Sequence, residues 1–360
     1  MRASVAFLLL IIPFCLSAQI NSDSAAVKPD SLTLRPDTVS IIGVGDIMMG
    51  TNYPEDKLPP QDGVFLMKNV ESVLRDADVT FGNLEGTLLD SGGIPKKCKD
   101  PKVCYAFRTP VRYVKNLTNA GFDMMSLANN HAGDMGDSGR ISSMRTLEQA
   151  GILHAGQITH KTTIFIKDSV RYGLAAFAPN TNCVSINDIE GAKQIVAQLD
   201  SLVDIIIISF HGGAEGAQYQ QVPRKHELYF GEDRGDVYHF AHTLIDAGAD
   251  IVFGHGPHVT RGVEVYKNRF ISYSLGNFCT YRGISVNGIN GLAPIIKVHT
   301  DVAGKFYYAQ ITPTMQSYGA GVEIDSTKRV IKIIQDLSKK DFPESPVQID
   351  DNGLITYLAQ

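Results

Sequence analysis

Four of the ten histidines in this 360-residue chain lie in polar clusters that carry glycine and follow an apolar run. In chain order the clusters are Gly45-Asp46-Ile47-Met48-Met49-Gly50, Gly82-Asn83-Leu84-Glu85-Gly86, Ala128-Asn129-Asn130-His131-Ala132-Gly133-Asp134, His211-Gly212-Gly213-Ala214-Glu215 and Gly254-His255-Gly256-Pro257-His258. Imidazole grouped with carboxylate and amide oxygen suits a divalent metal such as Mn, Zn or Fe better than Ca. Such an ion is a Lewis acid toward phosphoryl or acyl groups and lowers the pKa of water toward neutrality. The glycines let the backbone turn sharply and let an ion or ligand approach. Each member also has an ordinary structural reading. Asp46 could cap a turn, Asn83 and Asn130 could hold left-handed turns, and Glu85 could pair with a nearby cation. His131 could be a buried histidine bonded to a carbonyl, Asp134 could cap a helix starting near Ser138, and Arg140 could be an anion clamp or a solvated arginine. Five such clusters in order weigh more than any one of them.

The runs before the clusters are the elements that must position them. Val39–Val44, Asp78–Phe81, Met124–Leu127, Val203–Phe210 and Asp250–Phe253 read as buried strands. Helical spacing falls at Val64–Leu74, Val111–Ala120, Ser138–Ala150, Ile189–Leu199 and Val237–Ala247. Thr162–Ile166 with Arg171–Ala178, and Val263–Tyr266 with Arg269–Tyr273, read as hairpins. Ala293–Thr300 and Phe306–Thr312 pair as later strands, and 326–338 reads as a helix. Strands alternating with helices imply an α/β fold with largely parallel buried strands, which the hairpins make mixed. Ligands in open α/β sheets bind past the carboxyl ends of the strands, where all five clusters fall.

The formal charge of −5 disfavours a nucleic-acid partner. Residues 1–18 read as a secretory signal: Arg2, an apolar run from Val5 to Phe14, and Ser17-Ala18 for cleavage. This places the mature chain outside the cytoplasm, in the periplasm or beyond. Residues 19–37 read as a linker, 38–290 as the main domain, and 291–360 as strands and a helix that complete it. Cleavage leaves Cys98, Cys104, Cys183 and Cys279. Cys98 and Cys104 close a short loop and are expected to pair; Cys183 with Cys279 is the remaining pairing, and free buried thiols are the alternative. Lys96, Lys97, Lys99 and Lys102 around that loop make either a basic lip or a solvated loop.

The run Gly45-Asp46-x-Met48-x-Gly50, with Asn83-Leu84-Glu85 and Ala128-Asn129-Asn130-His131-x-x-Asp134-x-Gly136, resembles the capsule-synthesis CapA family of poly-gamma-glutamate biosynthesis proteins. So do His211-Gly212-x-x-Glu215, Gly248-Ala249-Asp250-x-Val252-x-Gly254-His255-x-Pro257-His258-Val259, Glu264-x-Tyr266 and Tyr273-Ser274-Leu275-Gly276-Asn277-Phe278. The resemblance spans about residues 38–280. That family is similar to calcineurin-like metallophosphoesterases, which implies a four-layer α/β/β/α sandwich with mixed sheets and a two-metal site at the strand ends. It implies Asp46, Glu85, Asn130, His211, His255 and His258 as metal ligands, and His131 with Asn130 and Asp46 as catalytic. Asn83, Glu215, Asn277 and Arg140 are the candidates for holding substrate. The sequence departs from the phosphatases at Met48, where they carry His. It also lacks the bridging Asp and has an extra residue between His255 and His258, so one metal site is expected to be weakened. The implied role is in biosynthesis, transport or release of an anionic poly-gamma-glutamate-type polymer, beside other membrane-bound capsule-synthesis proteins. The alternative is a metal-dependent hydrolase of a phosphoester or gamma-glutamyl amide, acting on a polymer or a small molecule. A binding protein that uses the same loops is the third reading.

Overall fold

Strands that bury both faces must divide their apolar side chains between two cores, and this chain does so with period two. The structure is a computed structural model that describes residues 37–98 and 104–357. The expected signal, nearly all of the expected linker, Lys99 and Lys102 lie outside these residues. In β1 (Thr38–Met48), Val39 and Ile41 join one buried cluster while Ile42 and Val44 join another. The same division runs through β2 (Val79–Leu84) and β3 (Met124–Ser126), whose neighbour is β4 (Leu153–Ala155). These four are parallel and lie in the order 1-2-3-4.

The second sheet begins with the expected hairpin, β5 (Thr162–Lys167) and β6 (Val170–Phe177). It continues through β7 (Ile205–His211) and β8 (Ile251–His255) to a second hairpin, β9 (Val263–Tyr266) and β10 (Arg269–Ser272). Its spatial order is 9-10-8-7-6-5. Ile205 and Ile207 face the first sheet, whereas Ile206, Ile208 and Phe210 face helices. The facing surfaces meet at Phe81 and Phe253, stacked with ring centroids 5.7 Å apart. Burying each ring contributes roughly 2 kcal/mol. Gly43 makes room for them, since a Cβ there would lie 2.4 Å from the Phe253 ring.

Helices cover both outer faces. Leu117 and Ala120 of α1 (Val114–Ala120) and Leu147 of α2 (Gly136–Gln149) pack on the first sheet. Val196 of α3 (Ile189–Asp200) and Phe240 and Leu244 of α4 (Val237–Asp246) pack on the second. The result is a four-layer α/β/β/α sandwich with mixed sheets. The later strands rejoin the first sheet. β11 (Asn277–Thr280) runs parallel to β1, and β12 (Leu292–Asp301) runs antiparallel to it on the side away from β2. β13 (Phe306–Gln316) pairs with β12, and α5 (Arg329–Asp341) closes one end of the core between the sheets with Val330, Ile331 and Ile334.

Two local expectations are corrected, and one alternative left open is decided. Val64–Leu74 is helical only at Glu71–Leu74, and the preceding turns bond three residues back, as from Leu66 to Gly63 and Val70 to Met67. Met67, Val70 and Leu74 are still buried, because steps of three to four residues keep them on one face. The last helix starts at Arg329 because Lys328 holds φ +57° and Asp325 accepts from the Thr327 and Arg329 amides. Cys183 and Cys279 are free and buried, one in the core between the sheets and the other under the first sheet's helices, so they do not pair. Cys98 and Cys104 are joined.

Register brings the clusters to one edge. Asp46 on β1 lies beside Asn83 on β2 and Asn277 on β11, and His211 on β7 lies beside His255 on β8. Gly45 makes this possible, since a Cβ there would lie 2.0 Å from the Gly276 carbonyl oxygen and 2.5 Å from that of Leu275. Those are rigid backbone atoms, and Gly276 O also accepts from the Asp46 amide. Gly45→Ala is therefore expected to destabilise the fold by about 3 kcal/mol, read as a lower urea midpoint with unchanged slope.

Candidate metal centre

The two sheets are joined at this edge by a buried polar chain. Asp46 is wholly buried, and its Oδ1 accepts from Asn83 Nδ2 at 2.8 Å. Asn83 Oδ1 in turn accepts from Asn129 Nδ2 at 3.0 Å, and Asn129 Oδ1 accepts from the His131 amide. Asp46 Oδ2 lies 3.0 Å from His258 Nδ1, which is also 3.1 Å from Asn277 Oδ1. Both neighbours are acceptors, so Nδ1 keeps its proton and Nε2 is the nitrogen that can give one up to a metal. His258 holds a left-handed backbone, φ +58°, which these bonds and its tight loop sustain.

Nε2 of His258 points to Glu85, 3.5 Å from Oε1, and His211 Nε2 is 3.4 Å from the same oxygen. Glu85, His211 and His258 form a group whose ligand atoms all lie within 4.8 Å of one another, the one such group found among the described residues. Both Glu85 oxygens and both His211 nitrogens are buried without a hydrogen-bond partner. Leaving such groups unpaired costs about 1–3 kcal/mol each. A divalent cation on Glu85 Oε1, His211 and His258 Nε2 would satisfy carboxylate and imidazole together, so the residues present fit one. Burial, with the Arg234 charge, drives the His211 pKa well below its usual value, keeping the ring neutral as a ligand must be. Burial also opposes charge on His258, but Glu85 and Asp46 outweigh it and push its pKa up to about 10.

Beside the triad stands His131. Its Nδ1 lies 2.7 Å from Asp134 Oδ2, its ring stacks on Phe107, and its Nε2 is 4.0 Å from Glu85 Oε1. Asp134 is therefore a histidine partner rather than a helix cap; it also accepts from the Phe107 amide. Lys96 reaches in and places Nζ 2.6 Å from Asp134 Oδ1 and 3.1 Å from the Asn130 carbonyl oxygen. Lys96 of the expected lip is thus half-buried and turned toward Asp134. Asn130 Oδ1 is a further buried acceptor without a partner.

Other candidates are placed elsewhere. His255 Nε2 lies 3.0 Å from the Val44 carbonyl and its Nδ1 3.4 Å from Ser209 Oγ, so it bridges the sheets instead of joining the triad. Asn83 and Asn277 spend their amides on Asp46, His258 and backbone carbonyls. They hold Asp46 and His258 in place. Arg140 donates to Gln157 Oε1 and the Thr181 carbonyl, away from the triad. Met48 turns its sulfur to the Gly50 amide. Glu215 does reach the site, 4.0 Å from His258 Nε2 through Oε2, with Oε1 accepting from Arg234. Burial raises its pKa, yet His258 and Arg234 outweigh that and hold it below the usual range. Arg234, Lys96 and Asn129 were missed as site residues. Asn129 sits inside a cluster already singled out and Lys96 in a basic loop, but no local motif marks Arg234.

Over residues 40–282 the sequence matches the family described as bacterial capsule synthesis protein PGA_cap. The chain belongs to that family. It is 29% identical over 262 residues to a capsule biosynthesis protein CapA of Bacillus anthracis, covering 67% of this chain and 59% of that one. It is 28% identical over 315 residues to a PGA biosynthesis protein CapA of Bacillus subtilis, covering 82% and 77%. Similar solved structures include a hypothetical protein from Thermus thermophilus (14% identity, TM-score 0.47, covering 77% of this chain and 100% of that one). Another is a calcineurin-like phosphoesterase of Bacillus subtilis (14% identity, TM-score 0.39, covering 80% and 88%).

Glu85→Gln and His211→Ala are expected to lose bound divalent metal, measured by elemental analysis of the purified folded chain. His255→Gln should lower the melting temperature and keep the metal. Below about pH 10 the metal-free His258 carries a proton. Metal binding to its Nε2 should therefore release about one proton at neutral pH, and affinity should rise about tenfold per pH unit up to that point. Calorimetry in buffers of different ionisation enthalpy counts that proton.

Proposed function

We propose that this chain acts outside the cytoplasm on a capsule or envelope polymer of the poly-gamma-glutamate type, and that its pocket is a metal-dependent hydrolytic site. Family membership supports the capsule role. The signal-like start and the Cys98–Cys104 disulfide favour an oxidising compartment. The observation that carries the chemistry is the set of unpartnered buried atoms on Glu85 and His211, facing His258 Nε2.

Glu85, His211 and His258 would hold one divalent ion of the Mn, Zn or Fe class, which supplies Lewis acidity toward a carbonyl or phosphoryl oxygen and makes water more acidic. Asp46 holds Nδ1 of His258 and leaves Nε2 as the nitrogen that would bind the ion. Asp134 does the same for His131, holding the Nδ1 proton and leaving Nε2 toward the reacting group. In hydrolysis of an amide or phosphoester, water oxygen bonds to carbon or phosphorus and the C–N or P–O bond breaks. The proton that the attacking water sheds passes to His131 Nε2, which gives it to the departing nitrogen or oxygen. Lys96 balances the Asp134 charge behind it. With Met48 turned away and His255 spent on Val44, the reading is of one strong metal position, not two.

The purified full chain should hydrolyse either poly-gamma-glutamate or an aryl phosphoester, with activity abolished by chelator and restored by metal. His131→Ala should lower kcat by about 10²–10⁴-fold with metal content unchanged. Metal bound without turnover on either substrate would reject the hydrolase reading and leave an accessory role in capsule formation, seen as capsule polymer lost from cells lacking the chain.

A further inference from the structure

Two arginines are among the largest fully buried side chains, and they are treated oppositely. Arg261 is saturated. It makes a two-pronged pair with Glu227 at 2.7 and 2.8 Å and donates to the Tyr219 and Ala214 carbonyls. Arg234 has a single close bond, Nη1 to Glu215 Oε1 at 2.8 Å, with Glu232 farther off at 3.8 Å. Its Nε and Nη2 are buried with no partner. A planar guanidinium with two nitrogens open is the geometry that takes a carboxylate or phosphate by two parallel bonds.

Arg234 also stands at the pocket. Glu215, its one close partner, reaches toward His258 Nε2, and the Arg234 charge is felt at His211. We propose that Arg234 is the oxyanion-binding residue of this pocket: its open Nε and Nη2 take a carboxylate or phosphoryl oxygen of the substrate beside Glu85, His211 and His258. The proposal rests on the reading of the pocket as a substrate-binding metal centre and names the substrate class as an oxyanion. Both nitrogens are closed to solvent, so the anion enters as the arm just before Arg234 shifts. That arm pairs Leu228–Tyr229 with Glu232–Asp233, and Leu228 and Phe230 on it are 68% and 74% exposed. Its base stays pinned, because Glu227 is held by Arg261 and by the Ala214 amide.

The test is calorimetric titration of the metal-loaded full chain with inorganic phosphate and, separately, glutarate. Which of the two binds distinguishes a phosphoryl from a carboxylate source. Arg234→Gln should weaken binding at least tenfold, Arg234→Lys less, and both should keep their metal. Glu215→Gln, which frees more of the guanidinium, should tighten binding several-fold. Equal affinity in wild type and Arg234→Gln overturns the proposal, as does a metal-loaded wild type that binds neither anion. Should Arg234→Gln not fold, Glu215→Gln decides, since unchanged or weaker binding there also overturns it. Wild type that takes up no metal would reject the metal-centre reading alone, and the same titrations on the metal-free chain then decide the role of Arg234.

Discussion

The site depends on one buried carboxylate. Asp46 lies at the end of the strand central to the first sheet and bonds Asn83 within that sheet and His258 from the second. A buried charge survives only when its lone pairs are satisfied, and removing one partner of such a pair typically costs about 3–5 kcal/mol. Here the satisfaction is shared between two sheets whose facing surfaces are otherwise mostly apolar, with His255 and the Val44 carbonyl as a second polar link. The apolar layer fixes their separation, and Asp46 fixes how the polar ends of the strands face one another. His258 can hold its left-handed backbone because Asp46 and Asn277 grip its ring.

Much of this was legible in the sequence because period-two burial and glycine-bearing loops leave a local trace. The four-layer architecture followed once the buried runs and the motif resemblance were combined. The contrast between His255 and His258 was not legible. Both stand in Gly254-His255-Gly256-Pro257-His258, yet one is the last residue of a strand and bonds across to Val44, while the other sits in the turn beyond and faces Glu85. Which histidine is which depends on where pairing with β7 stops, and side-chain type does not record that. Asp134 was misread for a similar reason. Three residues after His131 it is placed either to cap a helix or to bond the imidazole, and the turn before Gly136 selects the second.

Lys96 and Arg234 were harder still. Each is a cation in a polar stretch, where solvation is the usual fate. Lys96 is drawn inward by the wholly buried Asp134, a partner 38 positions later in the chain. Arg234 is buried by the fold of the segment between β7 and α4, which carries no periodic signal. Long-range charge compensation of this kind has no signature at the spacing of neighbouring residues.

The placement of β12 bears on how the protein comes into being. Asp46 lies on a strand flanked on one side by β2, soon after it in the chain, and on the other by residues 292–301, about 250 positions later. β11, which supplies Asn277, also arrives late. Contacts of such sequence separation form slowly, since loop closure must precede them. A nascent chain can pair β1 to β4 early, but the edge that carries Asp46 stays incomplete until β8, β11 and β12 have been made. Assembly of this edge thus waits on strands made late, and a chain truncated before β12 would own every proposed ligand and still lack the strand that covers β1 on the side away from β2.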